Sequence, residues 1–440
     1  MPRRPVRRAA IAVVGLIVAA NAVSAMHAWR FTHYVAEPVG TGTAAPEALS
    51  FAQRAAVLLT GVVVPRPTVG KRPEDLGLKA RGVRKGGLAM WQIQGDRHGT
   101  VLLFPGYAAC KSDLLDEAGA FHDLGWSTVL VDPPGVGDSD GSTTTLGWAE
   151  ADAVATIAAE PHDGPLVLYG KSMGSAAILR AVGALGVTAD ALVLENPYDR
   201  LTTTVGHRFE ALGLPAWPGA DLLVLWGGLE LGFNGFALNP VDYARDVHVP
   251  TLLLTGGADP RVHPDEVRAI DAALAGPHEL TLFPGAGHVG LQAADAALWD
   301  STIASFLAHW APFAVSKAEL PAGEGLTDGA AVGLGVLHGH TVACGYTLGD
   351  ARGTLFSGVT GAGALVELHG TPLSLAPDGP RQWIGPTVAV HVHAEPVTAC
   401  GVRSPGCAEQ DVAGTLVVQE GGRVARVGVT GTAACELPRK

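Results

Sequence analysis

A serine, an aspartate and a histidine each follow an apolar run in this chain, in an order that suits nucleophilic catalysis. Ser172 lies between the apolar run 166–169 and a helical pattern over 175–184. Asp259 and His288 follow the runs 251–254 and 280–283. A serine hydroxyl becomes a strong nucleophile when an imidazole takes its proton, and the imidazole needs a carboxylate to fix its tautomer. These residues therefore predict a triad in the order Ser, Asp, His.

Glycines two positions before and after Ser172 predict a sharp turn between a strand and a helix. In such a turn only small residues fit at those positions, and the serine hydroxyl is exposed above the sheet. The backbone N–H of Met173 then becomes one donor of an oxyanion hole, and the loop 104–112 offers a second in the N–H of Tyr107. Glu195, which ends another apolar run, is an alternative acid.

Six short apolar runs alternate with helical patterns between residues 83 and 312. The runs are apolar throughout, as is typical of strands buried on both faces of a parallel sheet; they cover 101–104, 128–131, 166–169, 191–194, 251–254 and 280–283. Helical patterns cover 113–124, 145–159, 175–184, 265–274 and 295–310. The sequence therefore predicts an α/β fold, with a mostly parallel sheet and helices on both of its faces.

The connection between the fourth and fifth runs holds some fifty residues, which is too many for an ordinary crossover. We interpret about 199–248 as a small helical cap over the mouth of the sheet. Its tryptophans, Trp217 and Trp226, are candidate substrate contacts. The alternative is that these residues form packed helices that take no part in ligand binding.

The first 36 residues predict a membrane anchor or a signal peptide. Four arginines within the first eight residues precede an uncharged, mostly aliphatic run over 9–26. This run is longer than a usual signal core and near the short end of a membrane span. Small-residue patterns at 20–22 and 23–25 offer cleavage sites, so both interpretations stay open. Either one keeps the arginines in the cytoplasm and exports the rest, as a membrane-anchored or secreted protein.

Composition predicts further divisions along the chain. Residues 37–82 are punctuated by proline and form a connector with a helix around 46–59, and 313–330 form a linker rich in Gly, Pro and Ala. Residues 331–440 hold short β-branched stretches separated by turn residues, which predict an all-β domain, either a sandwich or a small barrel. A net charge of −12 argues against a nucleic-acid partner, because such a partner calls for a basic surface.

Cysteines and histidines of the last hundred residues suggest two further features. Four of the five cysteines fall there, and in an exported chain they favour disulfides in any of three pairings; they are Cys344, Cys400, Cys407 and Cys435. Cys110 would remain a buried free thiol. His391 and His393 have a spacing that suits a metal, although histidines of a purely structural β-domain are the alternative.

Residues 83–310 resemble the α/β-hydrolase superfamily, within the group of monoacylglycerol-lipase-like and serine-aminopeptidase-like hydrolases. Phe104-Pro105-Gly106-Tyr107 matches the oxyanion loop of that group, with Pro105 where the family usually has His. Residues 132–141 match its Asp-x-x-Gly-x-Gly-x-Ser-x-Gly loop, which in the family shapes the floor of the site. Ser172, Asp259 and His288 match the triad positions.

The residues and the resemblance together predict hydrolysis of an ester or related acyl bond, through an acyl-enzyme and without a cofactor. The expected substrate is a small acyl compound, and a membrane is a partner if the N-terminal segment is uncleaved. An aminopeptidase-like or thioesterase-like activity is an alternative within the same class. An exported, non-catalytic binding protein on a hydrolase scaffold is another, as is a metal or redox role for the β-domain.

Overall fold

A computed structural model of the chain describes residues 3–36, 42–44, 48–95, 99–288 and 290–311, together with strands between 334 and 434. The chain divides into two compact units, Met1–Ala304 and Ser305–Lys440. The predicted domain boundaries fall partly outside the described residues and remain predictions.

The first unit is built on an eight-stranded sheet in the order β1-β2-β4-β3-β5-β6-β7-β8. β2 runs antiparallel to both of its neighbours, and the other neighbouring pairs from β3 to β8 are parallel. The strands are β1 (Ala80–Lys85), β2 (Leu88–Ile93), β3 (Thr100–Phe104), β4 (Ser127–Val131), β5 (Leu166–Lys171), β6 (Ala191–Glu195), β7 (Thr251–Gly256) and β8 (His278–Phe283). The six predicted runs are β3 to β8, whereas the β1–β2 hairpin was not predicted.

Helices cover both faces of this sheet. The described helices of the chain are α1 (Arg3–Thr32), α2 (Phe51–Thr60), α3 (Leu115–Asp123), α4 (Trp148–Ala158), α5 (Met173–Gly183), α6 (Leu201–Ala211), α7 (Gly219–Leu231), α8 (Pro240–Tyr243), α9 (Pro264–Ala273), α10 (Leu291–Ala294) and α11 (Ala296–Trp310). Successive side chains of a strand point to opposite faces. Leu168 of β5 accordingly packs in the core shared with α4, α5 and α9. Tyr169 packs edge-on against Phe121 of α3 and Trp299 of α11.

The long connection after β6 forms α6, α7 and α8, with short 3₁₀ turns at Gly235–Ala237 and Ala244–Asp246. It is the region where the sequence predicted a cap. The predicted connector also holds a helix, α2, but this helix begins at Phe51, where Ser50 caps it, rather than near residue 46.

The N-terminal apolar run forms the 30-residue helix α1. Within the described residues, Ala10–Thr32 is the helix long and apolar enough to cross a membrane, with a mean hydropathy of 1.9, and only 11% of its most apolar stretch is buried. Its last turns pack on α7 of the first unit.

Beyond residue 311, the described residues of the second unit are strands: β9 (Leu334–Gly335), β10 (Gly345–Asp350), β11 (Gly353–Gly358), β12 (Ala364–Leu368), β13 (Thr371–Pro377), β14 (Gln382–Ile384), β15 (Val388–Pro396), β16 (Gln410–Glu420) and β17 (Arg423–Ala434). They form one antiparallel sheet in which β11 pairs with both β10 and β12. Buried Phe356 faces Val366 across one pair, and Val390 faces Val418 across another. An all-β domain over the whole of 331–440 remains a prediction, because the range includes residues outside those described.

Candidate active site

Ser172 is the single residue between β5 and α5, and its backbone is forced into an unusual conformation. Its φ of 49° and ψ of −109° lie where non-glycine residues are rare, which costs about 1–3 kcal/mol. A Cβ at Gly170 would come within 2.6 Å of the Gly174 carbonyl carbon, and one at Gly174 would overlap the Phe104 carbonyl oxygen. The Ser172 N–H donates to the Glu195 carbonyl at 2.7 Å. The sharp turn therefore requires both glycines.

Ser172, His288 and Asp259 form a continuous chain of hydrogen bonds. His288 Nδ1 lies 2.7 Å from Asp259 Oδ2, and His288 Nε2 lies 3.1 Å from Ser172 Oγ. An ionised carboxylate only accepts hydrogen bonds, so Nδ1 carries the proton and Nε2 is left to accept the serine hydroxyl. This is the arrangement in which an imidazole can take a proton from a serine.

The parallel strands β7 and β8 bring the acid and the histidine together, because both residues follow the carboxyl ends of neighbouring strands. The two loops are joined by backbone hydrogen bonds, from the Gly257 N–H to Phe283 and from the Ala258 N–H to Ala286. Asp259 is buried, and its Oδ1 accepts the N–H groups of Arg261 and Val262 at 2.8 and 3.0 Å. The two backbone N–H groups thus hold Oδ1 in place, and Oδ2 faces His288.

Two protein families match the part of the chain that carries this site. The family described as serine aminopeptidase, S33, matches residues 95–220, and the prolyl oligopeptidase family matches 166–312. An uncharacterised protein of Mycobacterium tuberculosis is 30% identical over 236 residues, which cover 52% of this chain and 77% of that protein. The chain belongs to the α/β-hydrolase superfamily. The predicted resemblance is thereby confirmed.

Two further similarities cover about half of the chain. An uncharacterised protein of Bacillus subtilis is 22% identical over 219 residues, which are 48% of this chain and 72% of that protein. A solved structure of an esterase from Pyrococcus furiosus is 22% identical, with a TM-score of 0.48, and covers 56% of this chain and 97% of that one.

Asn196 is a residue of this α/β-hydrolase site that sequence reasoning missed. Its side-chain N–H donates to the His288 carbonyl at 3.0 Å, and its side-chain oxygen accepts the Gly256 N–H at the same distance. Its φ of 47° lies in the left-handed region, which asparagine tolerates better than most residues. An Asn two residues after an apolar run was the available signal.

The loop after β3 lies beside Ser172, as the hydrolase resemblance implies. A Cβ at Gly106 would stand 3.5 Å from the Ser172 Cβ, so the next residue, Tyr107, is close to the serine. The Tyr107 hydroxyl donates to the Phe31 carbonyl of α1 at 2.8 Å, and burial raises the pKa of Tyr107 to about 12. Met173 is the first residue of α5 and is buried. The residues of both predicted oxyanion donors therefore lie near the serine, and their role stays a prediction.

The loop 132–141 is organised around the buried Asp132 carboxylate. This carboxylate accepts the backbone N–H groups of Lys111 and Asp138 at 2.8 Å each, and it pairs with the buried Lys111 ammonium. A Cβ at Gly137, whose φ is +52°, would overlap the same carboxylate. Gly137 is thus required by a buried ion pair that ties this loop to the oxyanion loop.

Glu195, the alternative acid, points away from His288. Its carboxylate accepts the Tyr169 hydroxyl at 2.6 Å and the Leu291 N–H at 3.4 Å. Lys171 lies 4.0 Å from Glu195 and 2.6 Å from Glu117. Burial alone would lower the pKa of Lys171, but these two carboxylates raise it; burial raises the pKa of Glu117. The Glu195 carboxylate therefore bonds to β5 and α10 rather than to the His288 ring.

A cavity of about 920 Å³ opens over the triad. Ser172 and His288 line it together with residues of the oxyanion loop, the cap and α1. Trp217 and Trp226 do not line it: Trp217 is 76% exposed, and the Trp226 indole N–H donates to Asn21 of α1 at 3.1 Å. The structure thus does not bring the two predicted tryptophans to the triad.

The predicted metal and disulfide features fall mainly in the second unit. The backbone of β15 places His391 opposite Val417 and His393 opposite Thr415 of β16. Among the side chains that the structure describes, no cluster of three or more metal-ligating residues occurs. Cys344, Cys400, Cys407 and Cys435 lie outside the described residues, so their disulfides remain a prediction. Cys110 is free and buried.

Proposed function

We propose that the chain is a serine hydrolase that cleaves esters through an acyl-enzyme. The observation that carries the proposal is the hydrogen-bonded chain from Ser172 through His288 to Asp259, with separations of 3.1 and 2.7 Å. In the first half-reaction, Ser172 Oγ attacks the ester carbonyl carbon while His288 Nε2 takes its proton. The N–H groups of Tyr107 and Met173 stabilise the resulting oxyanion.

His288 then gives its proton to the leaving alkoxide, and the carbonyl carbon stays bonded to Ser172 as an ester. In the second half-reaction, His288 takes a proton from water, whose oxygen attacks the same carbon, and Ser172 leaves with the proton that His288 returns. The products are a carboxylic acid and an alcohol. Asp259 stabilises the imidazolium in both halves and holds its tautomer.

The charges around the cavity favour an ester over an amino-terminal peptide bond. An aminopeptidase needs carboxylates to hold the charged α-amine of its substrate. Among the described residues that line the cavity, Asp113 is the one carboxylic acid, and its carboxylate accepts the Cys110 N–H. The cationic side chains there are more numerous: Arg66, Lys171, Arg208 and Arg261. The aminopeptidase alternative is therefore the weaker one, and comparing ester with amino-acid anilide substrates tests it.

Labelling with a fluorophosphonate probe tests the serine nucleophile. The wild type should be labelled and should hydrolyse a short p-nitrophenyl ester, whereas Ser172→Ala should lose the label and at least about 1,000-fold of kcat. Ser301→Ala removes an exposed hydroxyl of α11 and is the matched control, which should behave as the wild type. Equal labelling of the wild type and Ser172→Ala would overturn the proposal, and a wild type that is neither labelled nor active would favour a non-catalytic binding role.

A further inference from the structure

The last turns of α1 are built into the first unit. Buried residues recur at helical spacing on one face of the helix: Ser24, His27, Ala28 and Thr32. His27 Nε2 donates to the Leu58 carbonyl of α2 at 3.1 Å, and the Thr144 N–H donates to the Thr32 carbonyl at 2.9 Å. A signal peptide that is removed after export would not need these contacts with the folded unit.

The same face of α1 is a wall of the cavity that contains Ser172 and His288. Val23, Ala28 and Phe31 line this cavity. Phe31 lies next to the oxyanion loop, because its carbonyl accepts the Tyr107 hydroxyl. Val23 lies eight residues earlier, about 12 Å away along the helix axis. The wall therefore leads from the reacting centre toward the exposed half of α1.

α7 packs closely against α1, and residues of both helices line the cavity. A Cβ at Gly227 would stand 3.9 Å from both the Ala28 Cβ and the Thr32 Cγ2, so glycine lets the two helices approach. The cavity volume of about 920 Å³ is near the upper end of the range of about 300–1,000 Å³ for small-molecule sites. The α1 and α7 part of its lining combines five apolar side chains with the polar Ser24, His27 and Thr32; the apolar ones are Val23, Ala28, Phe31, Leu223 and Val224.

The N-terminal half of α1 exposes large apolar side chains, among them Leu16 at 71% and Val18 at 62%. Exposure of so many apolar side chains along one helix is costly in water and favourable in a bilayer. The wall of the cavity is thus continuous with a segment suited to lipid, and both family matches begin well after it, at residues 95 and 166.

We propose that α1 is a retained wall of the acyl pocket and sets the length of acyl chain that the site accepts. This inference rests on the proposed ester hydrolysis. The ligand class is an ester of a long unbranched acyl chain that lies along α1 from Phe31 toward Val23 and enters from the lipid side. Cleavage after Ala22 or Ala25 would remove Asn21, which accepts the Trp226 indole N–H of α7, and cleavage after Ala25 would also remove Val23 from the wall. The segment is therefore an anchor rather than a signal peptide.

Substitutions along α1 test this proposal in the full-length protein in detergent micelles, with p-nitrophenyl esters from C4 to C16. The wild-type kcat/KM should rise with chain length, up to about fourfold for each buried methylene. Ala28→Phe should lower kcat/KM for the C12 to C16 esters at least tenfold relative to kcat/KM for the C4 ester of the same variant. Val23→Phe, farther from Ser172, should lower this ratio only for the longest esters.

Ala22→Phe is the matched control, because Ala22 lies on the same helix but is exposed and does not line the cavity; it should keep the wild-type profile. Ala28→Leu, a smaller change, should give an intermediate profile if Ala28→Phe unfolds. A wild-type rate that is flat or falls with chain length would overturn the inference. So would an unchanged profile in Ala28→Phe and Val23→Phe.

Two measurements separate this inference from the proposed function. Binding of a fluorescent C16 fatty acid to Ser172→Ala should be weakened at least tenfold by adding Ala28→Phe, and this holds even if no ester is hydrolysed. The intact mass of the protein isolated from membranes should include α1. A mature chain that begins at Val23 or Met26, or equal fatty-acid affinities, would overturn the proposal while the Ser172 labelling result stands.

Discussion

Asn196 holds the ends of β6 and β7 and the histidine loop together through one side chain. Removing it in Asn196→Ala leaves the buried Gly256 N–H without its acceptor, which costs about 1–3 kcal/mol of stability. It also frees the His288 backbone, so we expect kcat to fall roughly 10- to 100-fold. Ester kinetics and thermal unfolding measure the two effects.

Asn196→Asp is the informative partner variant. Aspartate tolerates the left-handed conformation and still accepts the Gly256 N–H, but it cannot donate to the His288 carbonyl when ionised. Its kcat should fall as in Asn196→Ala with a smaller loss of stability. Wild-type kcat in both variants would show that Asn196 does not position the histidine.

At the scale of elements, His207 of α6 joins the cap to α9. Its Nδ1 lies 3.2 Å from Glu266 and 3.0 Å from the Arg261 carbonyl, and its ring stacks on His263 at 3.9 Å. The hydrogen bond with Glu266 is the largest cause that raises the pKa of His207 to about 9, against burial, which lowers it. Protonated His207 therefore stabilises the contact between α6 of the cap and Glu266 of α9 at neutral pH.

The sign of the pH dependence follows from that raised pKa. The stabilisation is fully present below the ordinary histidine pKa of 6.5 and is lost as the pH rises through about 9. We expect the melting temperature to fall between pH 7 and pH 10, with faster hydrogen exchange in α6. His207→Gln should reduce this fall, and the same pH dependence in that variant would contradict the assignment.

At the scale of the whole molecule, the site belongs to one unit. All described residues that line the cavity lie within Met1–Ala304, and Trp299 of α11 completes the core against Phe121. A fragment of residues 1–311 keeps α11 whole. It should hydrolyse a C4 ester with kcat/KM within about twofold of the full chain. A loss greater than tenfold in a folded fragment, judged by circular dichroism, would show that the second unit contributes to the site.

Much of this arrangement followed from local sequence. Strands β3 to β7 are buried on both faces, so each is a short apolar run that can be recognised alone. The edge strand β8 is largely exposed, and its run 280–283 was recognised although the predicted burial on both faces was wrong for it. The turn at Ser172 could be predicted from its two glycines, because its steric limits act within five residues. β1 was missed because its side chains are mostly exposed and polar, so it lacks an apolar pattern.

Long-range packing decided the rest. Asp259 and Glu195 both follow apolar runs, and the tertiary structure decides between them: the Asp259 carboxylate contacts His288, whereas the Glu195 carboxylate accepts the Tyr169 hydroxyl. The sequence of α1 indicates an apolar helix of about the length of a membrane span. That its last turns line the cavity depends on contacts with α7, about two hundred residues away. Such contacts are set by complementary shapes of distant segments, which no local pattern encodes.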